Sequence, residues 1–249
     1  MKVLVCIKRV PDTGGGFRLT PDSKRVDTTN LGFAISPHEE CAVEEAIRII
    51  EKHGGSSTVL TLGPTAAQEQ LREALAKGVS SAILLETEDY ESWDAGAVAQ
   101  AIAETVRSMG FDLLLFGNES ADACNYQVGL RVAHLLDLPC VSGIKALEIQ
   151  ERRAIAKRES PEGWEVYELS LPAVFTVKEG INVPRHPSLR GIMSAKKIPI
   201  EQKKPIRRDP QMARELLKKP QEGRQLEILG EGVEAVAKVA TKLRELGAI

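Results

Sequence analysis

"DLLLFGNESADACNYQVG", Asp112 to Gly129, is the stretch on which the fold turns. It opens on an unbroken apolar run, Leu113 to Phe116, the pattern of a strand covered on both faces. From Gly117 it is polar for most of its length, and near Tyr126 to Val128 a helical period begins that continues through Val132, Leu135 and Leu136. Buried strand, polar loop and helix in that order predict a crevice at the strand's carboxyl end, faced by the free N–H groups and positive dipole end of the helix. An anion such as phosphate suits such a place. An ordinary connecting loop, with Ser, Asp and Asn spent on capping, is the competing reading.

Working outward, the same alternation recurs. "KVLVCI", "STVLTL" and "SAILLE" are short strand-like runs. Between the first two, "FRLTPDSKRV" reads as a small hairpin around a Pro-Asp-Ser turn, and "SPHEECAVEEAIRII" as a helix with Ser36 as N-cap, Pro37 at the first position and Glu39 closing a capping box. Its apolar stripe is Val43, Ala46, Ile47 and Ile50. Thr65 and Gln68 form a second capping-box pattern before Ala67, Leu71, Ala74 and Leu75, with Gly78 placed to end that helix. A third helix is read around Val98, Ile102 and Val106, stopped by Gly110. This order predicts an α/β fold, a parallel sheet wound with helices on both faces.

From Ile144 the pattern changes to extended pieces, "IKALEIQ", "RAIAKRE" and "WEVYELSL", which predict an antiparallel flap added to the sheet before the strand "AVFTV". "KKIPIEQKKPIRRDPQ" shows neither helical nor strand period and reads as an extended C-terminal arm. A last helix near Val233 to Leu243 presents Val233, Val236, Ala240 and Leu243 on one face.

Composition narrows the function. With 249 residues and a formal charge of −2, the chain has room for a large core and no global field to draw nucleic acid or an anionic membrane. No apolar run approaches the roughly 18 residues of a membrane span, and the N-terminal run is too short for a signal peptide. A soluble protein is expected, cytoplasmic in a bacterium or archaeon, or in the mitochondrial matrix of a eukaryote. Cys6, Cys41, Cys124 and Cys140 form no C-x-x-C pair and read as buried thiols. With four scattered histidines there is no metal cluster to assign. Glu-Glu pairs read as solvated helix faces, and no nucleophile elbow, P-loop or dinucleotide fingerprint occurs. Gly14, Gly15 and Gly16 are better read as a flexible turn than as a phosphate loop. After the first strand stand Lys8, Arg9 and Asp12, and before the first long helix Ser36, Pro37, His38 and Glu39. These features describe a binding crevice without catalytic machinery.

"VLVCIKRVPD", "SPHEECAVEEA", "LGP", the Gly117 loop and above all "VPRHPSLRGIMSAKK" resemble the β subunit of electron-transfer flavoprotein along essentially the whole chain. The resemblance implies an adenine-nucleotide-hydrolase-like α/β fold and an electron carrier, not an enzyme, active only as a heterodimer with an α subunit. It implies FAD held mainly by that α subunit and a structural AMP in this chain. Electrons would come from acyl-CoA and related flavin dehydrogenases of fatty acid oxidation and pass to a downstream quinone-linked oxidoreductase. Carried onto these residues, the AMP site comprises Cys6, Ser36, Pro37, His38, Glu39, Leu62, Gly117, Asn118, Asp122, Asn125, Tyr126, Gln127 and Val128. Val128 stands where a phosphate-binding hydroxyl would be expected, leaving the phosphate to backbone amides. Thr13 is the implied flavin contact, without the aromatic ring that some relatives pack on the flavin. Partner recognition falls on Leu189, supported by Pro184, Pro187, Ile192 and Met193, with Lys196 and Lys197 beside it. Residues 1–185 would form the nucleotide-binding domain, and 186–249 the recognition loop and an arm wrapping the α subunit. The stretch from Ile198 to Gln225 would order on that partner. Gln127-Val128-Gly129 resembles the electron-bifurcating branch, in which a second FAD occupies the AMP site. A universal-stress-type adenine-nucleotide sensor shares the βαβ layout but does not explain the Leu189 stretch or the long arm, and an ATP-using enzyme of the related adenylating folds would need a Ser-Gly-Gly phosphate loop that is missing after the first strand.

Overall fold

In β1 (Lys2–Cys6), Val3 and Val5 enter one apolar cluster and Leu4 and Cys6 enter another on the opposite face. The same two-residue period runs through β7 (Ser81–Glu86), β8 (Leu113–Gly117) and β12 (Ala173–Val177), so these strands are buried on both faces and read as continuous apolar runs. Helices α1 (Pro37–His53) and α2 (Gln68–Lys77) supply the first cluster. Helices α3 (Ala95–Val106) and α4 (Val128–Leu136) supply the second.

The computed structural model describes residues 1–14, 16–219 and 226–249. The other strands of the main sheet are β6 (Ser56–Gly63), β9 (Cys140–Gln150), β10 (Arg153–Ser160), β11 (Gly163–Ser170) and β13 (Ile200–Lys203), in the order β11-β10-β9-β12-β8-β1-β6-β7-β13. From β9 to β13 neighbours are parallel, while β9, β10 and β11 pair antiparallel and form the expected flap. Two small pairs complete the picture, β2 (Arg9–Pro11) with β5 (Phe33–Ile35), and β3 (Arg18–Leu19) with β4 (Val26–Asp27), the latter being the predicted hairpin. The chain leaves β1 toward β6 on one side and returns from β7 to β8 on the other. The order therefore reverses at β1 and β8, where an open parallel sheet holds its ligand crevice.

Several local expectations are corrected. Ser36 is the N-cap of α1 with Pro37 beside it, but its hydroxyl makes no cap bond; it accepts the Ala121 N–H at 2.9 Å instead. Thr65 begins a short 3-10 turn, Thr65–Ala67, and its hydroxyl serves the Glu86 and Glu88 carboxylates, so no second capping box forms. The Glu-Glu pairs of α1 are not solvated: Glu39, Glu44 and Glu45 are buried, each with hydrogen-bond donors brought from elsewhere in the chain. Cys6 and Cys41 are buried thiols, whereas Cys124 and Cys140 are exposed.

The arm also departs from its reading. Ile200–Lys203 orders on the chain's own sheet as edge strand β13 against β7, and Asp94, which caps α3 through Ala97, also accepts the N–H groups of Gln211 and Met212. Arg207 pairs with Asp89 and Arg208 with Glu104. The first compact unit thus runs from Met1 to Glu215, and residues 186–215 lie within it. The second unit, Leu216–Ile249, holds a 3-10 turn at Gly232–Ala235 and α6 (Val236–Glu245), with Lys242 paired to Glu227 at 3.0 Å. Val233 and Val236 on its predicted apolar face are exposed. Residues 220–225 of the expected arm, and Gly15 of the glycine turn, lie outside the described residues.

Candidate functional site

Three segments meet at the carboxyl ends of β1 and β8. The Lys8 N–H, just past β1, donates to Glu39 Oε2 at 2.7 Å, and the Lys8 ammonium reaches Asp122 in the loop after β8 at 2.8 and 2.6 Å. Ser36, at the start of α1, takes the Ala121 N–H of that same loop. Gly117 permits the approach: a Cβ there would lie 2.6 Å from Glu39 Cγ. Burial pushes the Glu39 carboxyl up to about 8, against the opposing backbone bonds from Lys8 and Ser36 and the Lys8 charge. Burial, with Glu39 nearby, likewise raises the Cys6 thiol, so it is an inert wall residue.

The loop then curls through two left-handed residues, Cys124 (φ 48°) and Tyr126 (φ 56°), into α4. Gln127 precedes that helix without capping it; its carbonyl oxygen on the side chain accepts from Arg131 Nε at 3.0 Å. The first intrahelical bond is Arg131 N–H to the Gln127 carbonyl, which leaves the amides of the first turn without an intrahelical acceptor. This uncapped start, with no hydroxyl on Val128, fits a phosphate held by amides alone. The carboxylates of Glu119 and Asp122 stand in the same crevice; Lys8 answers Asp122, and His38 Nδ1 lies 3.8 Å from Glu119.

A second arrangement lies on α5 (Leu189–Ala195), a helix where the sequence reads as a loop. Ser188 caps this helix by accepting the Gly191 N–H at 3.0 Å. At its other end the Arg72 guanidinium of α2 donates to the Ala195 and Ile198 carbonyls, a cation at a helix C-terminus. Gly191 faces the Ala76 carbonyl so closely that no Cβ fits. Ahead of the helix, Arg185 forks onto Glu44 (2.9 and 3.1 Å) and Glu51 (2.6 and 2.9 Å), and Asn182 donates to the Cys41 carbonyl and to Glu45. Burial alone would raise the Glu44 carboxyl, but the bonds from Arg185 and Arg48 outweigh it and hold it below its ordinary value. On this seat Leu189 is 83% exposed, Met193 68% and Ile192 40%.

Comparison with known proteins gives this geometry a family. Residues 24–206 match the electron transfer flavoprotein domain. The electron transfer flavoprotein subunit beta of Thermoanaerobacterium thermosaccharolyticum is 38% identical over 195 residues, 78% of this chain and 75% of that one. The corresponding subunit of Bacillus subtilis is 38% identical over 203 residues, 81% and 78% of the two chains. The chain belongs to the electron transfer flavoprotein β-subunit family. Another relative is the caffeyl-CoA reductase-Etf complex subunit CarD of Acetobacterium woodii, 33% identical over 202 residues, 80% of this chain and 77% of that one.

Within this family frame, the positions expected at a nucleotide site divide. Ser36, Glu39, Gly117 and Asp122 converge through the contacts above, with Cys6 buried beneath them, while Asn118, next to Gly117, turns its side chain to Thr176 of β12. Tyr126 is exposed and bonds Glu119, which raises its hydroxyl. Leu62 is half-buried at the margin of the second apolar cluster. Pro37, Asn125 and Thr13 are exposed, and Thr13 accepts the Gly16 N–H. At the docking segment, Pro187 is half-buried and Lys196 and Lys197 are exposed beside α5. Arg185, Arg72 and Gly191, which hold the segment, were not singled out from sequence, nor was Lys8 as the partner of Asp122. A Pro-Arg pair just before an exposed helix was the available signal for Arg185.

Proposed function

We propose that this chain is the β subunit of a heterodimeric electron-transfer flavoprotein that takes electrons from acyl-CoA and related flavin dehydrogenases and passes them to a quinone-linked acceptor. FAD, held mainly by the α subunit, supplies the redox chemistry when bound. This chain contributes a structural AMP site and a docking surface. The observation that carries the reading is the uncapped start of α4 at the sheet's switch point, approached by a loop that Ser36 and Lys8 pin. Ser36, Glu39, Gly117, Asn118 and Asp122 would line the nucleotide, and the Val128 to Leu130 amides would face its phosphate. Leu189, Ile192 and Met193 would enter the dehydrogenase, with Lys196 and Lys197 orienting an acidic surface.

Gln127-Val128-Gly129 favours a second reading, a bifurcating β subunit with FAD in place of AMP. The two are separated by co-purifying the chain with its α subunit, denaturing the heterodimer and identifying the released nucleotides by chromatography and mass. One FAD and one AMP are expected. Two FADs would move the chain to the bifurcating branch, and absence of flavin would leave only a nucleotide-binding protein.

A further inference from the structure

Thr176 is the one polar residue in β12, "AVFTV", and it is buried. Its hydroxyl donates to Asn118 Oδ1 at 2.7 Å and accepts the Gly143 N–H at 2.9 Å, a pairing that one hydroxyl can satisfy at once. Asn118 is the first residue of the loop after β8, and its own N–H goes to the Val177 carbonyl at 2.9 Å. The other branch of the same side chain faces the far end of that loop. A Cβ at Gly129, in the first turn of α4, would lie 2.7 Å from Thr176 Cγ2 and 3.1 Å from Phe116 Cγ.

The strand pairing explains how Thr176 meets Gly143. Val174 pairs with Cys140 and Phe175 with Val141, but Val177 pairs with Ile144, so Ser142 and Gly143 together stand opposite Thr176. This bulge, with Gly143 at φ 67°, turns a backbone N–H from the ladder toward a side chain. The flap's first strand thereby fixes the direction of the threonine hydroxyl.

We propose that Thr176 is the positioning residue of the nucleotide loop. Its hydroxyl sets Asn118 at the start of the loop, while its methyl only packs against the first turn of α4 at the end. The placement of the loop's first residue then depends on one buried hydroxyl. The proposal rests on the nucleotide-site reading given above and adds to it a residue that the exposed loop alone does not reveal.

Two variants separate hydroxyl from methyl. Thr176→Val keeps the shape against Gly129 but leaves the Gly143 N–H and Asn118 Oδ1 unpaired, whereas Thr176→Ser keeps both bonds and removes the methyl. Each is made in the full heterodimer with the α subunit, AMP is stripped, and AMP is titrated back by equilibrium dialysis alongside melting without nucleotide. The valine variant should bind AMP about tenfold or more weakly, and the serine variant within about twofold of wild type even though its packing loss lowers the nucleotide-free melting temperature. Wild-type affinity in the valine variant overturns the proposal, as does affinity that falls in both variants in step with stability. A wild-type heterodimer that neither retains nor takes up an adenine nucleotide overturns the nucleotide-site reading, and this inference with it.

Discussion

The crevice at β1 and β8 and the seat of α5 both rest on buried acidic residues of α1, but they turn them in opposite directions. In the crevice, Glu39 lies under the candidate ligand position, with polar groups on the open side. Ahead of α5, Glu44 and Glu45 are consumed by Arg185 and Asn182, and what α5 itself leaves on the open side is Leu189, Ile192 and Met193. The first arrangement suits a polar ligand retained by many directional contacts. The second suits a partner that comes and goes, because a few apolar groups on a pre-ordered helix give modest affinity with little further ordering cost.

The difference is sharpened by removing each acid's partner. Arg185→Ala takes the guanidinium from Glu44, a buried carboxylate that then keeps Arg48 and the main-chain N–H at position 185. Loss of one partner from a buried pair costs about 3–5 kcal/mol, reduced here toward about 3 because the guanidinium is one-third exposed to solvent. Denaturant unfolding of the heterodimer should register that loss, with AMP content preserved in the folded fraction. An unchanged midpoint would mean the clamp does not hold the α5 segment.

Glu39 gives an effect that depends on pH. Its folded value near 8 exceeds the ordinary 4.5, so the folded chain keeps a proton that the unfolded chain releases. Stability should therefore fall as pH rises from about 4.5 to about 8, by up to about 1.4 kcal/mol per pH unit, and level off above. In Glu39→Gln this part of the slope should vanish. Equal slopes for the two proteins between pH 5.5 and 8 would show that Glu39 is ionised in the folded state throughout.

How far sequence carried the reading follows the same physics. The strands were legible because burial on both faces leaves continuous apolar runs, and the flap because its extended pieces are divided by turns. Helix starts were legible, but the fate of their caps was not: Ser36 and Thr65 had the right identity, and long-range partners at Ala121, Glu86 and Glu88 took their hydroxyls. β13 escaped notice because it is an edge strand whose side chains are exposed or half-buried, so it carries no apolar alternation. The Arg185 to Glu44 clamp spans 141 residues, and no local pattern announces it. Thr176 in "AVFTV" reads as an ordinary β-former until the bulge opposite it is seen.

The claim that α5 is a docking surface separate from the nucleotide site is tested most directly by Leu189→Ala. Leu189 is 83% exposed, so its removal should leave melting, FAD and AMP content of the heterodimer at wild-type levels. Electron transfer from an acyl-CoA dehydrogenase, measured at limiting dehydrogenase concentration, should slow about tenfold, in keeping with about 1.5 kcal/mol of lost apolar burial in the partner. An unchanged rate, or a slow rate accompanied by loss of nucleotide or of the heterodimer, would contradict it.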